Sequence, residues 1–121
     1  MINKIHKIAL ITDDVEGTVK FYTETLDLEV IERFPAEDDE DYVFLKAGDM
    51  ILELMPQKTM GLEPGFHHIS FKVDDVDESA QNLRDKGTEM AVEPFNPGVE
   101  GLTLAFFDGP NGVPLQLFNR K

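Results

Sequence analysis

The sequence contains no cysteine and no tryptophan, and it has few basic residues. Without cysteine the chain forms neither a disulfide framework nor a zinc–thiolate site. Its 11 lysines and arginines stand against 24 aspartates and glutamates, which gives a formal net charge of −13. That charge repels nucleic-acid phosphates and anionic membrane surfaces. We therefore predict that neither nucleic acid nor a membrane is a partner.

Long hydrophobic runs are also absent. No apolar segment approaches the roughly 20 residues that a membrane-spanning helix needs. The first residues, Met1 to Lys4, lead directly into a strand-like segment without the pattern of a signal peptide. We therefore expect a cytoplasmic protein. A chain of 121 residues is long enough to bury a sizeable core as one domain.

An internal repeat organises the chain. The segment Lys7-Ile-Ala-Leu-Ile-Thr-Asp-Asp-Val parallels His68-Ile-Ser-Phe-Lys-Val-Asp-Asp-Val, and Leu52-Glu53-Leu54 parallels Leu115-Gln116-Leu117. In each half, a strand pattern precedes a helix pattern and three further strand patterns. The repeat therefore predicts two βαβββ modules of α+β class, in which each sheet has one face covered by a helix.

The boundaries of the modules follow from composition. We predict a single domain over residues 1–121, with a first module at 4–55 and a second module at 66–120. Residues 56–65 carry two prolines and two glycines and are predicted to be a linker.

Both predicted helices have clear starting signals. Asp14 and Asp75 are suitable N-caps, because each carboxylate can accept hydrogen bonds from the first turn of the helix that follows. The first helix is predicted from a stripe at helical spacing, formed by Val15, Val19, Tyr22 and Leu26. Gly87 is the predicted C-cap of the second helix, and Thr88–Val92 is predicted to be the next strand.

These segments resemble the vicinal oxygen chelate superfamily. The resemblance rests on the doubled module and on three motifs: Gly-Asp-x-x-Leu-Glu-Leu at 48–54, His-His-Ile-Ser-Phe-Lys-Val-Asp-Asp-Val at 67–76, and Gly-Pro-Asn-Gly-Val-Pro-Leu-Gln-Leu at 109–117. The superfamily includes glyoxalase I, methylmalonyl-CoA epimerase, extradiol dioxygenases and bleomycin-binding proteins. The resemblance implies an eight-stranded, cup-shaped sheet made from the two modules, and it implies a homodimer.

In metal-dependent members the resemblance implies four ligand positions, which fall here on Lys7, Glu53, His68 and Gln116. Glu53, His68 and Gln116 can donate to a divalent ion such as zinc, nickel, cobalt or manganese. An ammonium at Lys7 opposes this, since it would repel the ion in a low-dielectric site. Binding without any metal is therefore the alternative. His6 lies one residue from Lys7, and alternation points it to the opposite face of the strand.

Strand alternation extends this set of candidates. It places Ser70 and Lys72 on the same face as His68, and it directs His67 to the other face. The same argument selects Ile51 and Met55 beside Glu53. Together with Lys7, the predicted ligand-binding side chains are Ser70, Lys72, Met55 and Ile51.

Three functions are compatible with these residues. The first is a glyoxalase-I-like lyase or isomerase of the lactoylglutathione lyase type. It would act on a small α-hydroxycarbonyl thiol adduct, with Glu53 as the catalytic base and an enediolate as the stabilised species. The second is an enzyme like methylmalonyl-CoA epimerase. The third is a metal-free small-molecule binding or drug-sequestering protein, in which Lys7 simply neutralises Glu53 and Gln116 completes a hydrogen-bonded cluster.

Overall fold

The computed structural model describes residues 2–121, which form eight strands and three α-helices. A π-helical segment, Phe21–Thr25, continues the first helix, and a 3₁₀ turn at Pro110–Gly112 precedes the last strand. The elements in chain order are β1 (Ile2–Thr12), α1 (Val15–Lys20), β2 (Glu29–Pro35), β3 (Asp41–Ala47), β4 (Met50–Pro56), α2 (Gln57–Met60), β5 (Gly65–Val73), α3 (Val76–Asp85), β6 (Val92–Phe95), β7 (Leu102–Asp108) and β8 (Pro114–Arg120).

The chain divides into two compact units. The first unit is Lys7–His67, and its strands follow the order β2-β3-β4-β1. The pairing of β1 with β4 is parallel, and the other two pairings are antiparallel. Val15 and Val19 of α1 pack in one buried cluster with three residues of the sheet, Val43, Leu45 and Leu54. One face of this sheet is therefore covered by α1.

The second unit combines His68–Lys121 with residues 2–6, and its strands follow the order β5-β8-β7-β6. Here the pairing of β5 with β8 is parallel. Val76 and Ala80 of α3 share a buried cluster with Ala105, Phe107 and Leu117 of the sheet. Each unit is thus a βαβββ module, and the predicted α+β fold with eight strands is confirmed. No helix within residues 2–121 is long and apolar enough to cross a membrane.

The two predicted N-caps are confirmed. The Asp14 carboxylate accepts a hydrogen bond from the Gly17 backbone N–H at 3.0 Å, and the Asp75 carboxylate accepts one from the Glu78 N–H at 3.0 Å. Each carboxylate satisfies a backbone donor that has no partner inside the helix, next to the positive end of the helix dipole. The same device therefore starts the helix of both modules.

The predicted stripe of the first helix is wrong at its end, because Leu26 is 50% exposed. The α-helix stops at Lys20, and Phe21–Thr25 adopt π-helical geometry. A π-helix has more residues per turn than an α-helix, so Leu26 rotates away from the core stripe, whereas Tyr22 still packs against the cluster of Val15 and Val19.

The predicted strand at Thr88–Val92 is also displaced, since β6 begins only at Val92. Gly87 has a positive φ of 91°, and the Thr88 N–H donates to the Leu83 carbonyl at 2.9 Å. Thr88, which was predicted to begin the strand, therefore belongs to the C-cap of α3. Within the predicted linker, Gln57–Met60 form the short helix α2.

Candidate active site

Lys7 and Glu53 are neighbours on the sheet face of the first unit opposite α1. Lys7 pairs with Ile51 in the parallel ladder, and Ala9 pairs with Glu53, so the two charged residues are diagonal neighbours. Diagonal side chains on one sheet face lie within reach of each other. Lys7 is only 3% exposed. The sequence prediction that Lys7 and Glu53 share a face is therefore confirmed.

Burial perturbs both members of this pair. Desolvation lowers the pKa of Lys7 to about 8, and the charge of Glu53 opposes part of that change. Desolvation also raises the pKa of Glu53 to about 7, and the charge of Lys7 opposes it. Desolvation therefore shifts the pKa values of both groups toward neutrality. A carboxylate that titrates near pH 7 is suited to general acid–base catalysis.

Aromatic side chains that the sequence prediction missed surround this pair. Phe44 pairs with Glu53 across β3 and β4, and the Lys7 Nζ lies 5.9 Å from the centre of the Phe44 ring. Tyr42 is the next residue of β3 on that face. Burial raises the pKa of Tyr42, as do the charges of Glu53 and Glu37. Counting alternate residues from Phe44 in β3 would have found both rings, once the register with β4 was known.

Toward the ends of β1 and β4 this face is apolar. Ala9, Ile11 and Met55 form one buried cluster, and Tyr42 and Met60 pack against it. Ile51, the other predicted lining residue, is half-buried opposite Lys7. The first unit therefore sets an acid–base pair in an apolar wall, an arrangement typical of sites for small molecules.

In the second unit the buried polar residues gather on the sheet face opposite α3. Leu117 and Phe107 point to α3, so their chain neighbours Gln116 and Phe106 point to the other face. Gln116 pairs with Ser70 on one side and with Phe106 on the other. This places the predicted residue Ser70 directly beside Gln116, and both side chains are buried.

His68 belongs to the same unit and is 2% exposed. Its ring meets the ring of Phe106 edge to face, with centroids 5.5 Å apart. His67, in contrast, is only half-buried, and burial lowers its pKa. The predicted alternation of the two histidines is therefore borne out by their exposure. Lys72 is half-buried and pairs with Phe118 of β8.

His6 makes a contact that alternation along β1 did not predict. Its ring stacks on that of Phe118, with centroids 4.4 Å apart and an interplanar angle of 16°. Phe118 lies two residues from Gln116 on β8 and therefore shares its face. The physical reason is that residues 2–6 of β1 pack with the second unit, whereas Lys7 packs with the first.

A divalent metal does not fit the donors at these positions. In the first unit the ligand position implied for β1 holds Lys7, whose buried ammonium has no lone pair and faces the charge of Glu53. The second unit supplies one imidazole and one neutral amide. Among residues 2–121, no group of three or more histidine, aspartate or glutamate side chains is arranged to hold a metal ion.

The family can now be stated. Residues 4–117 match the model of the Glyoxalase/Bleomycin resistance protein/Dioxygenase superfamily. The chain belongs to this superfamily, and the predicted membership is confirmed.

Three known proteins illustrate the range of its relatives. The uncharacterized protein YwkD of Bacillus subtilis (strain 168) is 28% identical over 99% of both chains. The manganese-dependent 2,3-dihydroxybiphenyl 1,2-dioxygenase of Geobacillus genomosp. 3 is 32% identical, over 97% of this chain and 36% of that protein. Lactoylglutathione lyase GLX1 of Arabidopsis thaliana is 27% identical, over 88% of this chain and 41% of that protein. The chain thus spans less than half the length of the two named enzymes.

A solved structure of a methylmalonyl-CoA epimerase in complex with methylmalonyl-CoA and NH4+ is also similar. It superimposes with a TM-score of 0.80 at 27% identity, covering 98% of this chain and 94% of that one. The expected glyoxalase/bleomycin resistance-like fold is therefore confirmed.

The pKa of Glu53 predicts how stability depends on pH. The folded protein keeps this proton up to about pH 7, whereas the ordinary pKa is 4.5, so folding binds a proton between these values. The resulting stabilisation is complete below the unfolded pKa and is lost as the pH rises through the folded one. Relative to Glu53→Gln, the wild type should therefore lose unfolding free energy between pH 5 and pH 7.5. Urea denaturation of both proteins at these two pH values measures the difference, and parallel pH profiles would contradict the raised pKa.

Proposed function

We propose that the protein is a lyase or isomerase of the glyoxalase I type that moves a proton within a small α-hydroxycarbonyl thiol adduct. The single observation that carries the proposal is the electrostatic interaction on one sheet face between Lys7, which is buried, and Glu53, which is half-buried. Both groups titrate near neutral pH, where a catalytic acid or base works best.

Glu53 would act as the base. Its carboxylate removes the proton from the hydroxyl-bearing carbon, and the electrons of the C–H bond form a carbon–carbon double bond while the carbonyl becomes an oxyanion. The ammonium of Lys7 neutralises that oxyanion in a low-dielectric environment, where a fixed cation is most effective. The hydroxyl proton then passes to the neighbouring oxygen, and Glu53 returns its proton to the former carbonyl carbon. The product is an isomer, so atoms and charge balance.

Single-base chemistry favours this reaction over epimerisation. A proton taken and returned by one carboxylate stays on one face of the substrate, which suits transfer between adjacent carbons. Gln116 stands at the ligand position implied for β8 and has an amide in place of a carboxylate, so it cannot serve as a second base.

A methylmalonyl-CoA epimerase-like activity is the second candidate. Its support is the similar solved structure at 27% identity, whose complex contains an ammonium ion together with the CoA ester. Epimerisation needs an acid on the face opposite Glu53. Lys7 lies beside Glu53 on the same sheet face, so this activity would need a different group as its acid.

Two assays in deuterated buffer with a chelator test these functions. With the hemithioacetal of methylglyoxal and glutathione we expect thioester product, at a rate that the chelator does not change. With methylmalonyl-CoA, deuterium at the α-carbon detected by mass spectrometry would favour the epimerase instead. Turnover of neither compound would contradict both proposed activities. Activity that appears only after metal is added would contradict the role given to Lys7.

A further inference from the structure

Gln116 presents a buried acceptor whose role the Lys7–Glu53 chemistry does not explain. Its side chain is only 4% exposed, and its Oε1 atom has no hydrogen-bond partner among residues 2–121. Buried polar atoms in folded proteins are paired in the great majority of cases, and each exception requires an explanation. A group from outside the polypeptide is therefore expected to donate a hydrogen bond to this oxygen.

The surroundings of Gln116 indicate what kind of group this is. Ser70 and Phe106 pair with Gln116 on either side, and His68 contacts Phe106 edge to face. The Phe106 ring is half-buried, so part of it remains accessible beside the buried amide. The face thus combines a neutral acceptor with an aromatic wall, which suits a short carbon chain bearing one polar group.

Charge narrows the choice further. A carboxylate offers only acceptor oxygens, so it cannot donate a hydrogen bond to Gln116 Oε1. A hydroxyl offers a donor without charge. The acceptor at Gln116 therefore favours a neutral hydroxyl over an acid group.

We propose that Gln116, flanked by Ser70 and Phe106, forms a subsite that accepts a hydrogen bond from a neutral hydroxyl group of the ligand. The subsite consists of second-unit residues alone, and it selects hydroxyl-bearing thioesters over those that lack the hydroxyl. Gln116 is a specificity-determining residue in this account and transfers no proton.

Two glutathione thioesters that differ by one hydroxyl test the subsite: S-D-lactoylglutathione and S-propionylglutathione. Isothermal titration of the wild-type protein should give about tenfold tighter binding of the lactoyl compound, a typical effect of one buried hydrogen bond. Gln116→Met keeps the length of the side chain and removes the acceptor, so both compounds should bind equally. Gln116→Glu keeps an acceptor oxygen and should retain the preference. Gln81→Met makes the same change on the exposed surface of α3 and should leave the preference at its wild-type value.

The result that overturns the subsite is a hydroxyl preference that survives in Gln116→Met, or equal binding of the two thioesters by the wild type. A buried water that satisfies Oε1 would produce the second result. If Gln116→Met does not fold, Gln116→Glu still decides, because loss of the preference there would show that the amide N–H groups, and not Oε1, face the ligand. Equilibrium binding needs no proton transfer, so these outcomes are separate from the success or failure of Glu53 as a base.

Discussion

Glu53→Gln should lower the rate of thioester formation from the methylglyoxal–glutathione hemithioacetal by about 100- to 10,000-fold, the range that a positioned general base contributes. Glutamine has nearly the same shape as glutamate but cannot accept the substrate proton. Glu53 is the only carboxylate among the four positions that the family resemblance selects, so no neighbour from that set replaces it. Steady-state kinetics in the presence of a chelator measures the loss, and kcat should fall far more than KM rises.

Glu29→Gln is the matched control for this experiment. Glu29 is an exposed residue of β2 that pairs with Lys46 in the same unit, so the change removes one carboxylate without touching the pair. Its kinetic constants should match the wild type. If Glu53→Gln retains at least half of the wild-type rate, Glu53 is not the base, and the carboxylate serves only to balance the charge of Lys7.

Much of the fold could be predicted from the sequence because helix caps and strand alternation, which depend on residues close in the chain, recur in both halves of the repeat. Asp14 and Asp75 mark two helix starts, and alternation along β5 separates His68 from His67. These features depend on near neighbours in the chain, where cap chemistry and strand periodicity decide the outcome. The sharing of one sheet face by Lys7 and Glu53, in contrast, was implied by the family resemblance and depends on the pairing of β1 with β4.

The remaining features depend on interactions that spacing does not encode. The proximity of Phe44 and Tyr42 to Glu53 follows from the register of β3 against β4, in which Ala47 pairs with Met50 across the Gly48-Asp49 turn. Likewise, the stacking of His6 on Phe118 depends on which unit the start of β1 joins. Titration near pH 7 also required the structure, because burial is the main cause of both perturbed pKa values.

Replacing Lys7 with histidine should raise the affinity of the protein for zinc or nickel by tenfold or more, which corresponds to about 1.4 kcal/mol. In the native protein the buried ammonium of Lys7 sits beside Glu53 and repels a second cation. Lys7→His exchanges that charge for a neutral imidazole, and imidazole with carboxylate is a common pair of zinc ligands.

Two control variants separate the causes of such a gain. Lys7→Met removes the charge but supplies no ligand, so it should recover only a small part of the affinity. Lys20→His adds a histidine at the exposed last residue of α1, on the other side of the sheet from Glu53, and it should leave metal affinity unchanged. Isothermal titration of untagged proteins with zinc chloride gives all four affinities. Equally tight binding by the native protein and by Lys7→His would mean that Lys7 does not exclude the ion. A lyase that uses a metal ion would then be a better proposal than metal-free catalysis by Lys7 and Glu53.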